Sequence, residues 1–576
     1  MSKPDRFFAS VPLLLLATLA ACEARTTVEP ADLVLHNGKV VTVDDSVPEA
    51  QAVAVRGYEI VAVGTDEAID DYIGPETEVI DLAGRLAVPG FIDSHGHYMG
   101  LGRSKMILDL TTAKNFDDIV ALVRDAVAQA QPGDWIFGRG WHQEKWDRVP
   151  EPNVEGVPLH TALDSVSPDN PVVLTHASGH ASFVNGAALA AAGVDARTRN
   201  PNGGEIVHDA AGQPTGLMRE TAQGVVNSAQ GRASEQRSAE EIYAEQKQMV
   251  DLAGQEALRN GVTSFHDAGS GFATIDFLKS LEDRGELPVR LYVMVRGESP
   301  ENLNALLDQY LMPAQGNDFL TVRSIKQSID GALGPHGAWL LEPYADMPGS
   351  AGLETTPVAR IEELSRIAWG HGFQMNIHAI GDRANREVLD VYARIFADSG
   401  GGTDRRWRIE HAQHLSPADI PRFAQLGVIP AMQGIHCTSD GPWVLKRLGE
   451  ERAQTGAYMW RDLMNTGAII ANGTDVPVEN ISPIASFYAS VARVMNDGTA
   501  FYPGQKMTRE EALRSYTLNG AYAAFEENIK GSITVGKLAD ITVLDKDIMT
   551  IPDAEIPQTK VDLTILGGQV KYRREL

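Results

Sequence analysis

Cysteine is almost absent from this chain of 576 residues, which contains only Cys22 and Cys437. If Cys22 is modified, as its sequence context below indicates, Cys437 stands alone and no intramolecular disulfide can form. The expected fold therefore does not depend on disulfide bonds.

Basic residues are also scarce relative to acidic ones. The chain has 50 lysines and arginines against 77 aspartates and glutamates, which gives a formal net charge of −27. An acidic surface argues against nucleic acid or an anionic polymer as a partner. It favours solubility and a cationic or neutral small-molecule substrate. The sequence also lacks short internal repeats and low-complexity tracts, which argues against a repeat architecture.

The apolar run at residues 7–17 follows a mildly basic start and is too short to span a bilayer, as is typical of a signal peptide. The Leu-Ala-Ala-Cys sequence that follows fits a bacterial lipobox, in which the cysteine is lipidated and becomes the first mature residue. A plain secretory signal and an uncleaved anchor are the alternatives. We predict a lipoprotein signal peptide at 1–21, lipidation of Cys22 and a tether at 22–30. The protein would then be lipid-anchored at the bacterial cell envelope, facing the periplasm or the exterior.

The first chemical signal is the pair His95 and His97, which follows the apolar, strand-like run at residues 86–93. On a strand, residues i and i+2 point to the same side, so both imidazoles face one point in space. Two neutral histidines in this arrangement form half of a site for a divalent metal. An isolated pair is more often solvated, but further candidate ligands lie in or at the end of later strand-like runs: Lys326, His378, His411 and Asp475.

Strand-like and helix-like segments alternate along most of the chain. The strand-like runs lie at 86–93, 261–267, 287–295, 321–330, 372–380, 407–412, 427–433 and 468–475. Helix-like segments lie between many of them, at 240–259, 275–284, 358–371, 382–397 and 416–426. This alternation predicts an α/β fold with a (β/α)₈ TIM barrel, in which functional groups gather at the carboxyl ends of the strands.

The chain is too long for a lone barrel of about 250 residues. We assign the barrel to 86–104 and 236–530. Short β-rich runs at 31–85 and 531–576 predict one small β-sandwich built from both termini. The stretch at 105–235 has strands and turns of its own, and we interpret it as an inserted domain after the first barrel strand that covers the active site.

Several motifs stand in order along the chain: PGFIDSHGH at 89–97, KQSIDG at 326–331, NIHAIGD at 376–382, RIEHAQ at 408–413 and NGTDVP at 472–477. Together with the β-rich segments at 33–41 and 531–544, they resemble the amidohydrolase superfamily. The resemblance is to amidohydrolase family 3, the branch that includes N-substituted formamide deformylase. It covers nearly everything after residue 30 and is specific for the family rather than for a substrate.

The resemblance implies a role for each candidate ligand. His95 and His97 would hold the more buried metal, and His378 and His411 the second. Lys326 would be carboxylated and bridge the two, and Asp475 would be both a ligand and the general base. One or two divalent ions are implied, with zinc the first choice. A protonated lysine has no acceptor for a metal, whereas a carbamate offers two oxygens. The alternative is an ordinary lysine paired with a carboxylate such as Asp330.

Such a site would lower the pKa of a metal-bound water, which attacks an amide-type carbonyl carbon while Asp475 takes its proton and later protonates the leaving nitrogen. We therefore predict a metal-dependent hydrolase that cleaves a non-peptide C–N bond of a small molecule. The alternatives are the same site acting on an ester, lactone or cyclic urea, and a non-catalytic metal- or ligand-binding envelope lipoprotein. A homodimer is expected from the family resemblance only.

Five other residues are candidates for substrate binding. His180 resembles a Gly-His position of the family, and its alternative role is structural. Trp141 either walls the pocket or packs in a core. His336 stands where family members often carry arginine. Gln433 and His436 follow the seventh strand-like run, where Gly434 replaces a common proline. These departures leave the substrate open.

Overall fold

The computed structural model describes Met1 and residues 28–234, 237–400 and 404–575. Cys22, and the predicted signal peptide apart from Met1, lie outside the described residues. None of the helices in the described ranges combines the length and the apolar character needed to cross a membrane.

Within the described ranges, eight parallel strands pair in chain order around a barrel: β1 (Phe91–Gly96), β2 (Val262–Ser270), β3 (Arg290–Val295), β4 (Leu320–Ser328), β5 (Gln374–Ala379), β6 (Arg408–His411), β7 (Ile429–Gln433) and β8 (Ala471–Gly473). The first and last strands meet just beyond β8. There the Asp475 amide donates to the His95 carbonyl and the His97 amide donates to the Val476 carbonyl, both at 2.7 Å. Every residue of β3 and β5 is buried, as expected for strands covered on both faces. The predicted barrel is confirmed.

Helices surround the barrel. They are Tyr98–Ser104, Ala239–Arg259, Phe272–Glu282, Pro300–Tyr310, Val358–Gly370, Asp382–Asp398, Ile420–Leu426, His436–Ser439, Gly441–Leu448, Glu450–Gly456, Trp460–Asn465, Pro483–Ala492, Arg509–Ser515 and Leu518–Ala523. The helix predicted at 416–426 begins only at Ile420. Its second residue is Pro421, which has no N–H to donate and a φ already suited to the first turn of a helix.

Both ends of the chain build the sandwich. One sheet orders its strands as Glu59–Gly64, Ala52–Arg56, Leu33–His36 and Glu78–Asp81. The other orders them as Gln569–Arg573, Val561–Leu566, Ile541–Leu544, Leu86–Pro89, Lys39–Val41 and Glu49–Ala50. Apolar side chains from both sheets, such as Leu35, Val53 and Ile541, share one core.

The run at 86–93 divides at Gly90 into a sandwich strand and β1. A Cβ at Gly90 would lie 2.3 Å from the hydroxyl oxygen of Thr263, so only glycine fits where the chain passes between the two domains.

The insertion has its own sheet, with strands in the order Gly204–His208, Pro214–Glu220, Ala181–Val184, Val172–His176, Ile136–Trp141 and Leu108–Asp109. A small hairpin (Asn153–Val154 with Val157–Pro158) and the helices Phe116–Val127, Thr161–Val166, Gly186–Ala192 and Gln223–Ser234 complete it. Apolar clusters that include Leu174 and Val173 give the insertion a core of its own.

A buried ion pair joins the barrel to the sandwich. The Arg290 guanidinium on β3 binds the Asp540 carboxylate through Nε at 2.7 Å and Nη2 at 3.1 Å, and the two side chains are 3% and 5% exposed. Arg290 Nη1 also donates to the carbonyls of Asn317 and Asp318.

We expect Arg290→Met to lower the free energy of unfolding by about 3–5 kcal/mol, because it leaves the Asp540 carboxylate buried without a counter-ion. Denaturant unfolding followed by circular dichroism measures this. Arg290→Met/Asp540→Leu should recover part of the loss. As a control, Arg197→Met removes a pair whose side chains are 91% and 52% exposed, and it should change little. Equal stability of Arg290→Met and wild type would contradict the expectation.

Candidate metal centre

The predicted ligands converge at the carboxyl end of the barrel. His95 lies on β1, Lys326 on β4 and His378 on β5, His411 ends β6, and Asp475 follows β8. All of them except His95 line one cavity of about 860 Å³, together with His97. His95 lies fully buried against this cavity, with no exposed surface. Strands far apart in sequence therefore bring the whole predicted set to one place.

The centre of this set is the Asp475 carboxylate. Its Oδ1 lies 3.2 Å from His97 Nε2 and 3.6 Å from His95 Nε2. Possible ligand atoms of His95, His97 and Asp475 lie within 4.8 Å of one another, and so do those of His411, His436 and Asp475. The His411 ring lies 4.7 Å from the His95 ring and 4.5 Å from the His378 ring, centroid to centroid.

The protonation states of these groups fit a cation. Burial, followed by neighbouring positive charges, holds the pKa values of His95, His378 and His411 well below the ordinary value. The imidazoles are therefore neutral and keep a lone pair for a metal. Burial alone would raise the pKa of Asp475, but the hydrogen bond from His97 and the nearby His95 and His411 hold it well below the ordinary value.

Among the described residues, His95 Nε2 and His378 Nε2 are buried and have no hydrogen-bond partner. Buried polar atoms in native proteins almost always have a partner, so two such nitrogens at one cavity call for a ligand. Two imidazole nitrogens beside an ionised carboxylate are a donor set that suits a divalent metal. The residues present therefore fit the implied metal.

A buried network fixes the orientation of His95. Its Nδ1–H donates to the Glu410 carboxylate, which also accepts from Arg408 Nη2 at 3.0 Å. Arg408 Nη2 donates further to the Ser94 carbonyl. A carboxylate on one ring nitrogen sets the tautomer, so that Nε2 keeps its lone pair on the side of Asp475.

Glu410 was not anticipated from the sequence. One signal for it was available: Arg408 and Glu410 are two residues apart on β6, so they face the same side and can pair inside the barrel.

His411 is oriented in a similar way. Its Nδ1–H donates to Gln433 Oε1 at 2.8 Å, and Gln433 Nε2 donates to the Ala431 carbonyl. The backbone at His411 and at Asp475 has φ values of 74° and 56°, in the left-handed region that residues other than glycine rarely adopt. Such conformations cost about 1–3 kcal/mol and are concentrated at functional sites.

Lys326 is 2% exposed. Burial, and next the charge of Arg296, lowers its pKa to about 7. Within the described part of the chain, Lys326 forms no ion pair with a carboxylate. Asp330, the alternative partner considered above, accepts instead from the amides of Trp339, Ile380 and Gly381 at 2.8–3.0 Å.

Two of the substrate-binding candidates lie beside the metal centre. His180 lines the main cavity, its Nδ1–H donates to Glu220 Oε2 at 2.7 Å, and its ring centroid lies 5.0 Å from that of His378. His436 lines a smaller cavity with His411 and Asp475, and its Nδ1 accepts from Gln413 Nε2 at 2.9 Å.

The structure places the other three candidates elsewhere. The Trp141 indole donates to the Leu174 carbonyl at 2.7 Å and packs in the core of the insertion. His336 lies 3.2 Å from the Asp346 carboxylate in a separate cavity of about 160 Å³, which Trp141 also lines. The Gln433 amide contacts His411 and its own strand rather than the cavity.

Three arginines that line the main cavity were not anticipated from the sequence. Arg103 lies on the helix Tyr98–Ser104, Arg296 directly follows β3, and Arg139 lies on the insertion strand Ile136–Trp141. The Arg139 guanidinium donates to the carbonyls of Ala177 at 3.0 Å and Pro477 at 3.3 Å, and burial lowers its pKa to about 10. Arg296 stands at the carboxyl end of the strand predicted at 287–295, which is the position where a barrel gathers functional groups. No local pattern marks Arg139, because only the packing of the insertion onto the barrel brings it to the metal centre.

Comparison with known proteins agrees with this arrangement. Residues 78–572 match the amidohydrolase family. Protein LONG AFTER FAR-RED 3 of Arabidopsis thaliana is 34% identical to this chain, over 94% of it and 92% of the plant protein. N-substituted formamide deformylase of Arthrobacter pascens is 29% identical, over 94% of this chain and 98% of its own.

An uncharacterized metal-dependent hydrolase from Pyrococcus horikoshii OT3 has a similar structure. The superposition covers 91% of this chain and 99% of the Pyrococcus chain, with a TM-score of 0.71 and 26% sequence identity. The family match spans most of the chain, and the predicted ligands meet at one cavity. The protein is a metal-dependent hydrolase and belongs to the amidohydrolase family.

Proposed function

We propose that the protein hydrolyses an amide-type, non-peptide carbon–nitrogen bond in a small molecule. The observation that carries this proposal is the convergence of imidazoles, a buried lysine and an ionised carboxylate on one cavity. The name of the similar N-substituted formamide deformylase indicates cleavage of a bond of this kind in that protein.

We propose zinc as the metal, because imidazole nitrogens and a carboxylate are common zinc ligands. His95, His97 and Asp475 would hold one ion. His378, His411 and a carbamylated Lys326 would hold a second. When bound, a divalent cation lowers the pKa of a water molecule and polarises the substrate carbonyl.

In the proposed mechanism Asp475 is the general base. Its low pKa keeps it ionised at neutral pH, so it can accept a proton from the attacking water. The resulting carboxylic acid would then pass this proton to the leaving nitrogen. His180 would donate a hydrogen bond to the substrate oxygen, because Glu220 overcomes the effect of burial and raises the pKa of this imidazole.

We expect Asp475→Asn to retain metal at the remaining histidines and to lower kcat by about 10²- to 10⁴-fold, the usual contribution of a general base. Metal analysis by mass spectrometry and turnover of N-formyl and N-acetyl amines measure the two effects. Asp497→Asn, on an exposed loop, is the matched control and should behave as wild type. Turnover near that of wild type in metal-replete Asp475→Asn would rule out the base.

We expect Lys326 to bind carbon dioxide. Only a neutral amine forms a carbamate, so the ¹³C NMR signal from labelled bicarbonate should grow as the pH rises through the lysine pKa of about 7. Lys326→Met should lose this signal and part of the bound metal. Lys530→Met is the control, because Lys530 is also buried but is paired with Glu526. An unchanged signal in Lys326→Met would contradict carbamylation at this residue.

We also propose that a lipid on Cys22 anchors the protein to the bacterial cell envelope. In a bacterial host, wild-type protein should incorporate an alkyne-labelled fatty acid and sediment with membranes. Cys22→Ala should lose the label and become extractable without detergent. Label retained in Cys22→Ala would exclude the predicted lipobox.

A further inference from the structure

The main cavity carries guanidinium groups that no carboxylate of the described residues neutralises. Arg139 and Arg296 both line it, as does Arg103, whose guanidinium carbon lies 4.9 Å from the centroid of the Phe137 ring. The hydrogen bonds of the Arg139 side chain go to backbone carbonyls, and that of Arg296 goes to the Ser328 hydroxyl at a long 3.4 Å. Neither guanidinium forms an ion pair within the described ranges. Arg290, by contrast, binds Asp540 through two nitrogens.

The carboxylates of the same cavity have partners of their own. Glu220 accepts from His180 at 2.7 Å, and Asp475 lies among the predicted metal ligands. Asp330 accepts from backbone amides, including that of Gly381 at 2.8 Å. The positive charge of the two arginines is therefore not matched inside the cavity, although the whole chain has a net charge of −27.

The two guanidiniums approach the metal centre from different domains. Arg296 follows β3 of the barrel and is exposed, and the cavity that it lines also includes Lys326 and His378. Arg139 comes from the insertion and is held by the carbonyl of Pro477, two residues after Asp475. Both side chains therefore line the cavity that contains the predicted metal ligands.

Resting on the hydrolysis proposed above, we propose that the substrate carries a carboxylate, and that Arg296 and Arg139 bind it. A guanidinium matches a carboxylate in shape and can donate two parallel hydrogen bonds to it. This assignment reverses the expectation of a cationic or neutral substrate from net charge, since charge summed over a surface does not describe one cavity.

A second cavity of about 800 Å³ shares Arg103, Ile107 and Phe137 with the first. Its lining mixes apolar side chains, such as that of Trp135, with charged ones, such as that of Glu245. The aromatic rings of Phe137 and Trp135 can contact an aromatic group of a substrate. Aromatic compounds with and without a carboxylate are therefore suitable probes.

The direct test is calorimetric binding of 3-phenylpropanoate and 3-phenylpropan-1-ol to the purified protein, since neither compound has a bond to hydrolyse. We expect the acid to bind more tightly than the alcohol. Arg296→Met and Arg139→Met should each weaken the binding of the acid by about 10- to 100-fold, because a charge-assisted hydrogen bond is lost. Neither variant should change the binding of the alcohol.

Two kinds of control variant accompany this measurement. Arg296→Lys and Arg139→Lys keep the charge but lose the planar donor pair, so they should retain part of the preference for the acid. Arg124→Met removes an exposed arginine on the helix Phe116–Val127 of the insertion, outside the cavity lining, and should bind both compounds as wild type does.

Unchanged binding of the acid in both methionine variants would overturn the proposal. An equal loss of affinity for the acid and the alcohol would also overturn it. That result would instead indicate that Arg296 neutralises a carbamylated Lys326.

Turnover of N-formyl-L-phenylalanine and N-formyl-2-phenylethylamine separates this proposal from the proposed hydrolysis. A higher kcat/KM for N-formyl-L-phenylalanine than for the amine derivative, lost in the methionine variants, supports both the hydrolysis and the carboxylate preference. Equal turnover of the two compounds keeps the hydrolysis and overturns the carboxylate preference. Arginine-dependent binding of 3-phenylpropanoate without turnover of either formyl compound keeps the arginine assignment and counts against the hydrolysis.

Discussion

The metal centre depends on a buried series of hydrogen bonds that runs from Arg408 through Glu410 to His95. Each of these side chains has no exposed surface, so each charge must find its partner inside the barrel. The pairing ties β6 to β1 and leaves His95 Nε2 as a neutral donor on the side of Asp475. A carboxylate behind a ligating histidine makes the imidazole a stronger donor and fixes its direction before a metal arrives.

The rest of the centre is built at the expense of local stability. His411 and Asp475 hold left-handed backbone conformations, and the buried Nε2 atoms of His95 and His378 form no hydrogen bond among the described residues. A continuous packed core and the ring of barrel hydrogen bonds supply the stability that permits this. A bound cation would satisfy the unpaired nitrogens, so metal binding and stability of the site should be coupled.

The insertion adds side chains of its own to the cavity at the metal centre. It brings Arg139, His180 and Glu220 over the metal centre. Arg139 donates to the Pro477 carbonyl, and His180 donates to Glu220, so each side chain is held in position. The barrel thus supplies the reactive groups, while the loops and the insertion supply the charge and shape of the pocket. This division explains how a strongly acidic protein can present a cationic cavity.

The barrel, the sandwich built from both termini and the place where the ligand candidates meet could be predicted from the amino-acid sequence. The barrel and the meeting place follow from local periodicity and from the ends of parallel strands, and the sandwich from β-rich runs that also resemble the family. The contacts between individual side chains could not be predicted in this way. Glu410 and His95 are 315 residues apart. Gln433 orients His411, and Trp141 packs in a core. Arg139 and Arg296 have no carboxylate partner in the part of the chain that the structure describes. Such contacts depend on how distant segments pack against one another, and a local pattern of residue types does not predict that packing.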